Sequence, residues 1–182
     1  MKPGKIVKKF THEGKEIIFR YPKKSDAKEF LSMINSLVKE KAYLTTQKKF
    51  TLKQEKKWLN NIIKKIKRKN IVLILIEIDG KIKGNTNIEI SEREAVAHVG
   101  KFGILLTKEI RGRGWAEKLA KEVIREAKNK LKIKMVKLNL FAPNKKALNL
   151  YKKLNFREIG RIKKSLKHYG RYRDEILMVK YL

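Results

Sequence analysis

The chain has 182 residues, a length that suits one domain with a proper hydrophobic core. It has 48 Lys and Arg against 18 Asp and Glu, a formal net charge of +30, yet 42% of its residues are hydrophobic, which excludes a disordered polycation. No cysteine is present, which excludes disulfides, thiolate nucleophiles and cysteine-ligated metals.

No segment predicts a membrane span or a secretion signal. The longest apolar run, 71–76, is far shorter than the ~20 residues that a bilayer-spanning helix needs. The N-terminal residues lack the apolar stretch of a signal peptide. We therefore expect a soluble, cytoplasmic protein with a single domain over 1–182, in which 1–15 form a basic lead-in.

The hydrophobic pattern predicts secondary structure along the whole chain. The predicted order is a strand at 16–21, helices at 25–39 and 51–68, strands at 71–78, 82–90 and 95–106, a helix at about 114–130, a strand at 136–140, a helix from 144, and strands at 156–162 and 176–181. Thr51 and Gln54 predict a capping box at the start of the second helix. This order favours an α/β class, with a mixed sheet and helices packed on it.

The segment between the strand ending at Leu106 and the following helix is the best candidate for a ligand site. Its glycines, Gly112 and Gly114, allow consecutive backbone N–H groups to point at one spot at the positive end of a helix, which favours a phosphate. The spacing fails the dinucleotide-binding and P-loop fingerprints. An RNA-binding arginine–glycine segment and a plain helix start without a ligand are the alternatives.

Two motifs resemble those of the GCN5-related N-acetyltransferases, the GNAT family. Arg111, Gly114 and Ala116 follow an apolar strand in the spacing of the acetyl-CoA signature. Farther on, the second signature is matched by Asn144, Ala147, Leu150, Tyr151, Leu154, Asn155 and Phe156, with Asn155 where glycine is usual. The segment 172–178 resembles the closing strand of small acetyltransferases, so the resemblance covers roughly 16–182.

The resemblance implies a mostly antiparallel sheet flanked by helices and an enzyme that transfers acetyl directly from acetyl-CoA to an amine, without a metal. Tyr151 would act as the general acid that protonates the departing thiolate. The residues implied in cofactor binding are Ile104, Leu105, Leu106, Arg111, Gly112, Arg113, Gly114, Trp115, Ala116 and Asn144. Of these, Ile104, Leu105 and Leu106 would hold the pantetheine arm, and the loop would hold the pyrophosphate.

The general base remains open at this stage. The strand position where some family members carry a glutamate is Lys101. Glu89, His98 and Glu175 are the candidates, and each could equally be a packed residue or an ion-pair partner.

The acceptor is also open: a small molecule, an amino acid or a protein amine. We expect its pocket between the helical region 25–68 and a loop at 163–173.

The alternative function is a basic binding module of the same fold that associates with the ribosome or nucleic acid, through residues such as 56–69. The charge could equally be ordinary lysine-rich surface composition, and a homodimer is a further expectation.

Overall fold

The computed structural model describes all 182 residues and contains eight strands and four α-helices. The strands are β1 (Ile6–His12), β2 (Lys15–Arg20), β3 (Ile71–Ile78), β4 (Lys81–Ile90), β5 (Val99–Leu106), β6 (Met135–Phe141), β7 (Arg157–His168) and β8 (Arg171–Tyr181). The helices are α1 (Ala27–Lys39), α2 (Leu52–Lys67), α3 (Trp115–Leu131) and α4 (Lys145–Lys153).

All eight strands form one sheet in the order β1-β2-β3-β4-β5-β6-β8-β7. Every neighbouring pair is antiparallel except β5 and β6, which run parallel. The expected class, a mixed but mostly antiparallel α/β sheet with flanking helices, is therefore confirmed.

The core is built on both faces of β3. Every side chain from 71 to 76 is buried, so helices must cover the strand from both sides. The α3 helix packs on β3 and β4, and α1 and α2 pack together against the same two strands. Because side chains alternate between faces, the residues of β4 that point toward α1 and α2 are Asn85 and Asn87. The centre of this face, at Asn85 and Asn87, therefore lies against the helices, whereas Lys83 and Glu89 at its two ends are partly exposed.

The N-terminal expectation was wrong, because 1–15 is not a simple lead-in. Residues 6–12 form β1, which pairs with β2 through a tight turn at Glu13 and Gly14, both at positive φ. The lysines of this edge strand point to solvent, and this removes the alternating apolar pattern by which a strand is recognised.

The other differences concern strand ends. Residues 94–96 form a short 3-10 helix, and β5 begins only at Val99. The expected loop at 163–173 is instead a long hairpin, because β7 and β8 continue to a turn at Tyr169 and Gly170. None of the helices combines the length and apolar character that crossing a bilayer requires.

Candidate active site

The parallel strands β5 and β6 start side by side and then separate. They pair only where Val99, Gly100 and Lys101 face 135–137, although both strands continue for several residues beyond. The result is a wedge-shaped gap in the sheet whose facing backbone edges have no strand partner. Such an edge can accept an extended ligand as an added strand.

The alternation of β5 decides which of its backbone groups face the gap. Thr107 donates its N–H to the Lys83 carbonyl on the β4 side at 2.9 Å. The groups of Ile104 and Leu106 therefore point the other way, into the gap, whereas those of Leu105 point to β4. All three were expected to contact the cofactor arm, and Ile104 and Leu105 line the cavity described below.

The loop before α3 presents a row of free backbone donors. None of the N–H groups from 112 to 117 has an acceptor in the protein, and the first that does is Lys118, which donates to the Gly114 carbonyl at 3.2 Å. Gly112 and Gly114 both have a φ of 79°, and no atom lies within 4 Å of where a Cβ would stand at either residue. Six free amides at the positive end of a 17-residue helix fit a pyrophosphate.

The side chains of this loop have different tasks. Arg111 donates from Nε to the Leu106 carbonyl at 2.9 Å and also bonds the Glu40 carboxylate. Arg113 is 59% exposed, with its nearest carboxylate, that of Glu13, 4.0 Å away. The Trp115 ring is buried against Phe10, so only its backbone N–H belongs to the donor row. Arg111 therefore fixes the loop to the end of β5.

The α4 helix places two expected site residues beside the gap. Asn144 caps the helix, since its Oδ1 accepts from the Ala147 N–H at 3.2 Å, while its Nδ2 makes no bond to the protein. Tyr151 is only 7% exposed and its hydroxyl has no hydrogen-bond partner, although the residue lines the cavity. Its ring packs edge-on against Phe102 and Phe156. Burial raises the Tyr151 pKa, which keeps the phenol protonated and able to donate.

A cavity of about 470 Å³ continues from the gap toward α1 and α2. Its walls come from these two helices, from the segment 43–50, and from β4, β5, β6 and α4. Most of the lining is apolar, including Phe30, Met33, Ile34, Phe50, Trp58 and Leu166. Polar groups enter from the sheet as the amides of Asn85, Asn87 and Asn139. The expected contributions of 25–68 and of the 163–173 region are thus both present.

Only two charged side chains line this cavity, Glu55 and Lys101. Glu55, in the first turn of α2, is 5% exposed and makes neither a hydrogen bond nor an ion pair, and burial raises its pKa. Sequence reasoning missed this residue. The helical spacing could have indicated that Glu55 is buried. It lies on the same face of α2 as the apolar residues Leu59, Ile62, Ile63 and Ile66.

None of the three sequence candidates for the base lines the cavity. Glu89 pairs with Lys65 at 2.5 Å on a half-exposed surface. His98 is exposed and precedes β5. Glu175 accepts hydrogen bonds from Asn139 and, at 3.0 Å, from Ser165. The structure therefore brings Ile104, Leu105, Asn144 and Tyr151 to one cavity and places the donor loop after the same strand, but none of these three bases lines the cavity.

The β7–β8 hairpin holds the acceptor side of the cavity in place. Tyr169 donates its hydroxyl to the Val38 carbonyl at 3.0 Å and its N–H to Gln47 Oε1 at 2.7 Å. Gln47 in turn donates to the Lys167 carbonyl at 2.6 Å. The His168 ring packs against Tyr43, a cavity residue, with centroids 4.8 Å apart.

Comparison with known proteins identifies this arrangement. The model of the acetyltransferase (GNAT) family matches residues 32–156. The L-amino acid N-acetyltransferase AaaT from Escherichia coli K12 is 32% identical over 113 residues, which cover 62% of this chain and 70% of that protein.

Solved structures give the same result. A GNAT acetyltransferase from Streptococcus pneumoniae superposes with a TM-score of 0.82 at 25% identity, over 92% of this chain and all of that one. The structure of yncA from Salmonella typhimurium with its cofactor acetyl-CoA superposes with a TM-score of 0.80 at 16% identity, over 91% and 94% of the two chains.

The chain belongs to the GNAT family, and the resemblance noted in its sequence is confirmed. It is an N-acetyltransferase that uses acetyl-CoA.

Proposed function

We propose that this protein transfers acetyl directly from acetyl-CoA to the primary amine of an amino acid. One observation carries the proposal: the gap between β5 and β6 opens into the cavity that Tyr151 lines, and the six free amides of 112–117 follow closely on the end of β5. Each part suits a different portion of the two substrates.

The cofactor would be held mainly by backbone groups. The amides of 112–117 would receive the pyrophosphate, and the N–H groups of Ile104 and Leu106 and the Ile104 carbonyl would bond the pantetheine arm. The Leu106 carbonyl already accepts from Arg111. The free Nδ2 of Asn144 is a further donor beside the arm. An N–H in this part of β5 would polarise the thioester carbonyl, as an oxyanion hole does.

The chemistry then needs a base on one side of the thioester and an acid on the other. The neutral amine attacks the carbonyl carbon, a C–N bond forms, and the C–S bond breaks as the tetrahedral intermediate collapses. Tyr151 donates its phenolic proton to the departing thiolate and regains one from the nitrogen of the intermediate. The raised pKa of Tyr151 favours this role, because the phenol stays protonated at neutral pH.

An amino acid is the acceptor class that the site supports best. The E. coli relative is named for L-amino acid acetylation. The cavity's volume suits a small molecule, and its two charges, Glu55 and Lys101, have the signs that the ammonium and carboxylate of a zwitterion require.

The test combines binding and turnover. Millimolar acetyl-CoA should raise the melting temperature of the wild-type protein, and released thiol should report turnover with an amino-acid panel. Tyr151→Phe should still bind acetyl-CoA but lose about 10²-fold or more in kcat. Tyr181→Phe is the matched control, since Tyr181 is 77% exposed. The absence of any thermal shift with acetyl-CoA would refute the proposal.

Association with the ribosome or nucleic acid is a separate prediction, as is a homodimer. The exposed face of α2 carries Lys56, Lys57, Lys64 and Lys67 opposite its buried stripe. Binding to RNA through this face should weaken steeply as salt rises, and an affinity independent of salt would exclude it.

A further inference from the structure

Glu55 is a buried acid without a partner in a chain that is rich in cations. It is 5% exposed, and neither of its carboxylate oxygens meets a donor in the protein. An unpaired carboxylate in an apolar setting destabilises the folded state. Such a group persists at a functional site when a ligand supplies the missing partner.

Other acids in the interior of this protein are all paired. Asp26 bonds the Arg20 guanidinium at 2.8 Å and the Lys23 N–H at 2.8 Å. Glu77 bonds the same arginine, and Glu126 accepts from the Tyr21 hydroxyl at 2.9 Å. The fold therefore satisfies its buried carboxylates elsewhere, and the exception is the one that lines the substrate cavity.

We propose that Glu55 receives the amine of the acceptor and serves as the general base, and that the acceptor is an amino acid with a large apolar side chain. This inference rests on the proposed function and adds to it the missing base and the side-chain preference.

The surroundings of Glu55 suit a base. The other titratable groups in the cavity are Lys101 on β5, Tyr43 in the segment 43–50 and Tyr151 on α4, whereas α1 and β4 contribute none. Burial raises the Glu55 pKa, which makes the carboxylate a stronger base than one in water.

The proton balance is complete with Glu55 and Tyr151. The acceptor enters as an ammonium ion and gives one proton to Glu55, which later releases it to solvent. The resulting neutral amine attacks the thioester. The second proton lost by the nitrogen replaces the one that Tyr151 gives to the sulfur, so the products are an amide, a thiol and one proton.

The apolar wall beside Glu55 determines which side chain the acceptor should carry. Phe30, Met33 and Trp58 line the cavity, and the rings of Phe30 and Trp58 pack with centroids 5.2 Å apart. Because a hydrophobic side chain gains free energy by leaving water for this wall, leucine, methionine and phenylalanine should be better acceptors than glycine or aspartate.

The first experiment is Glu55→Gln, which keeps the shape and removes the charge. We expect kcat/KM for L-leucine, L-methionine and L-phenylalanine to fall about 10²-fold or more, with the Kd of acetyl-CoA unchanged. Glu94→Gln is the control, because Glu94 is exposed and has no ion-pair partner, so it should keep full activity. A Glu55→Gln enzyme within threefold of wild type overturns the inference.

The second experiment measures stability and needs no substrate. A folded-state pKa raised above its unfolded value means that ionised Glu55 penalises folding, and this penalty is absent below the unfolded pKa of about 4.3. Glu55→Gln should therefore melt at a higher temperature than wild type at pH 7 and at a similar one at pH 4. A lower melting temperature at pH 7 would show a structural role and overturn the inference.

The failures of the two proposals can be told apart. If acetyl-CoA gives no thermal shift, the proposed function fails. If acetyl-CoA binds and turnover is seen only with spermidine, the amino-acid acceptor of the proposed function is wrong as well. If turnover is seen only with small polar amino acids, the proposed function stands but the assigned acceptor side chain is wrong. Binding with high turnover in Glu55→Gln refutes the base alone.

Discussion

Arg111 donates a hydrogen bond from Nε to the carbonyl oxygen of Leu106 at 2.9 Å, and thereby joins the donor loop to the end of β5. The same guanidinium bonds the Glu40 carboxylate just beyond α1. The family resemblance implied that Arg111 binds the cofactor. In the structure its guanidinium is already bonded to the Leu106 carbonyl and the Glu40 carboxylate. The main effect of Arg111 is therefore to set the position of the loop relative to the strand.

Arg111→Lys should therefore weaken acetyl-CoA binding although it preserves the charge. A lysine ammonium cannot bond the Leu106 carbonyl and the Glu40 carboxylate with the same planar geometry. We expect Kd to rise about tenfold, which corresponds to the loss of one hydrogen bond of about 1.4 kcal/mol. Titration calorimetry measures the change, with Arg93→Lys at an exposed site as the control. Unchanged affinity would mean that charge alone matters.

Gly114→Ala should reduce both stability and acetyl-CoA affinity. The residue has a φ of 79°, a conformation that costs a non-glycine residue about 1 kcal/mol or more. Relaxation toward negative φ would also turn the free amides of 112–117 away from one another. Gly80→Ala separates the two effects, because Gly80 has a φ of 74° in the turn between β3 and β4, outside the site. Both variants should melt earlier, but only Gly114→Ala should bind acetyl-CoA more weakly.

The local parts of the site could be predicted from sequence because their geometry is set by neighbours along the chain. The amides of 112–117 follow from a strand, two glycines and a helix start. Asn155 illustrates the same point, since it stands where glycine is usual and has a φ of 62°. Asparagine tolerates this left-handed conformation better than most residues, so the motif survives the exchange.

The acceptor cavity could not be predicted in the same way, because it joins residues that lie far apart in the chain. Glu55 and Tyr151 share one cavity although 96 positions separate them in the sequence. Strand alternation puts Asn85 and Asn87 on one face of β4, but the pattern does not show whether such a face meets water or a cavity. The missed strand β1 has another cause: lysines on an edge strand hide its pattern.

Ionisation of Tyr151 should not lower kcat at alkaline pH. Burial raises the phenol's pKa above its ordinary value of about 10, so the acid form is present throughout the range in which the acceptor amine loses its proton. At saturating substrates, kcat should stay level from pH 8 to pH 10. A decline with a midpoint near pH 9 that disappears in Tyr151→Phe would contradict the assignment.

Lys101→Gln should distinguish acceptors by their carboxyl group. If the Lys101 ammonium pairs with the carboxylate of an amino acid, its loss should raise KM for L-leucine about tenfold, the value of a hydrogen bond to a charged group. L-leucinamide has no carboxylate, so its KM should be unaffected. Lys128→Gln removes an equal charge from the exposed last turn of α3 and serves as the control. Equal effects on the acid and the amide would refute the pairing.

Tyr169→Phe should weaken binding of the acceptor and leave binding of the cofactor unchanged. The lost hydrogen bond to the Val38 carbonyl contributes about 1 kcal/mol, so the melting temperature should fall by about 2–4 °C. Because this bond holds the hairpin to the last turn of α1, shortly before the segment 43–50 that lines the cavity, KM for the amino acid should rise several-fold. The Kd of acetyl-CoA should not change, since none of the residues 112–117 contacts the hairpin through a hydrogen bond. Tyr172→Phe, at a 62% exposed position on β8, is the control, and an equal rise in KM there would refute the positioning role.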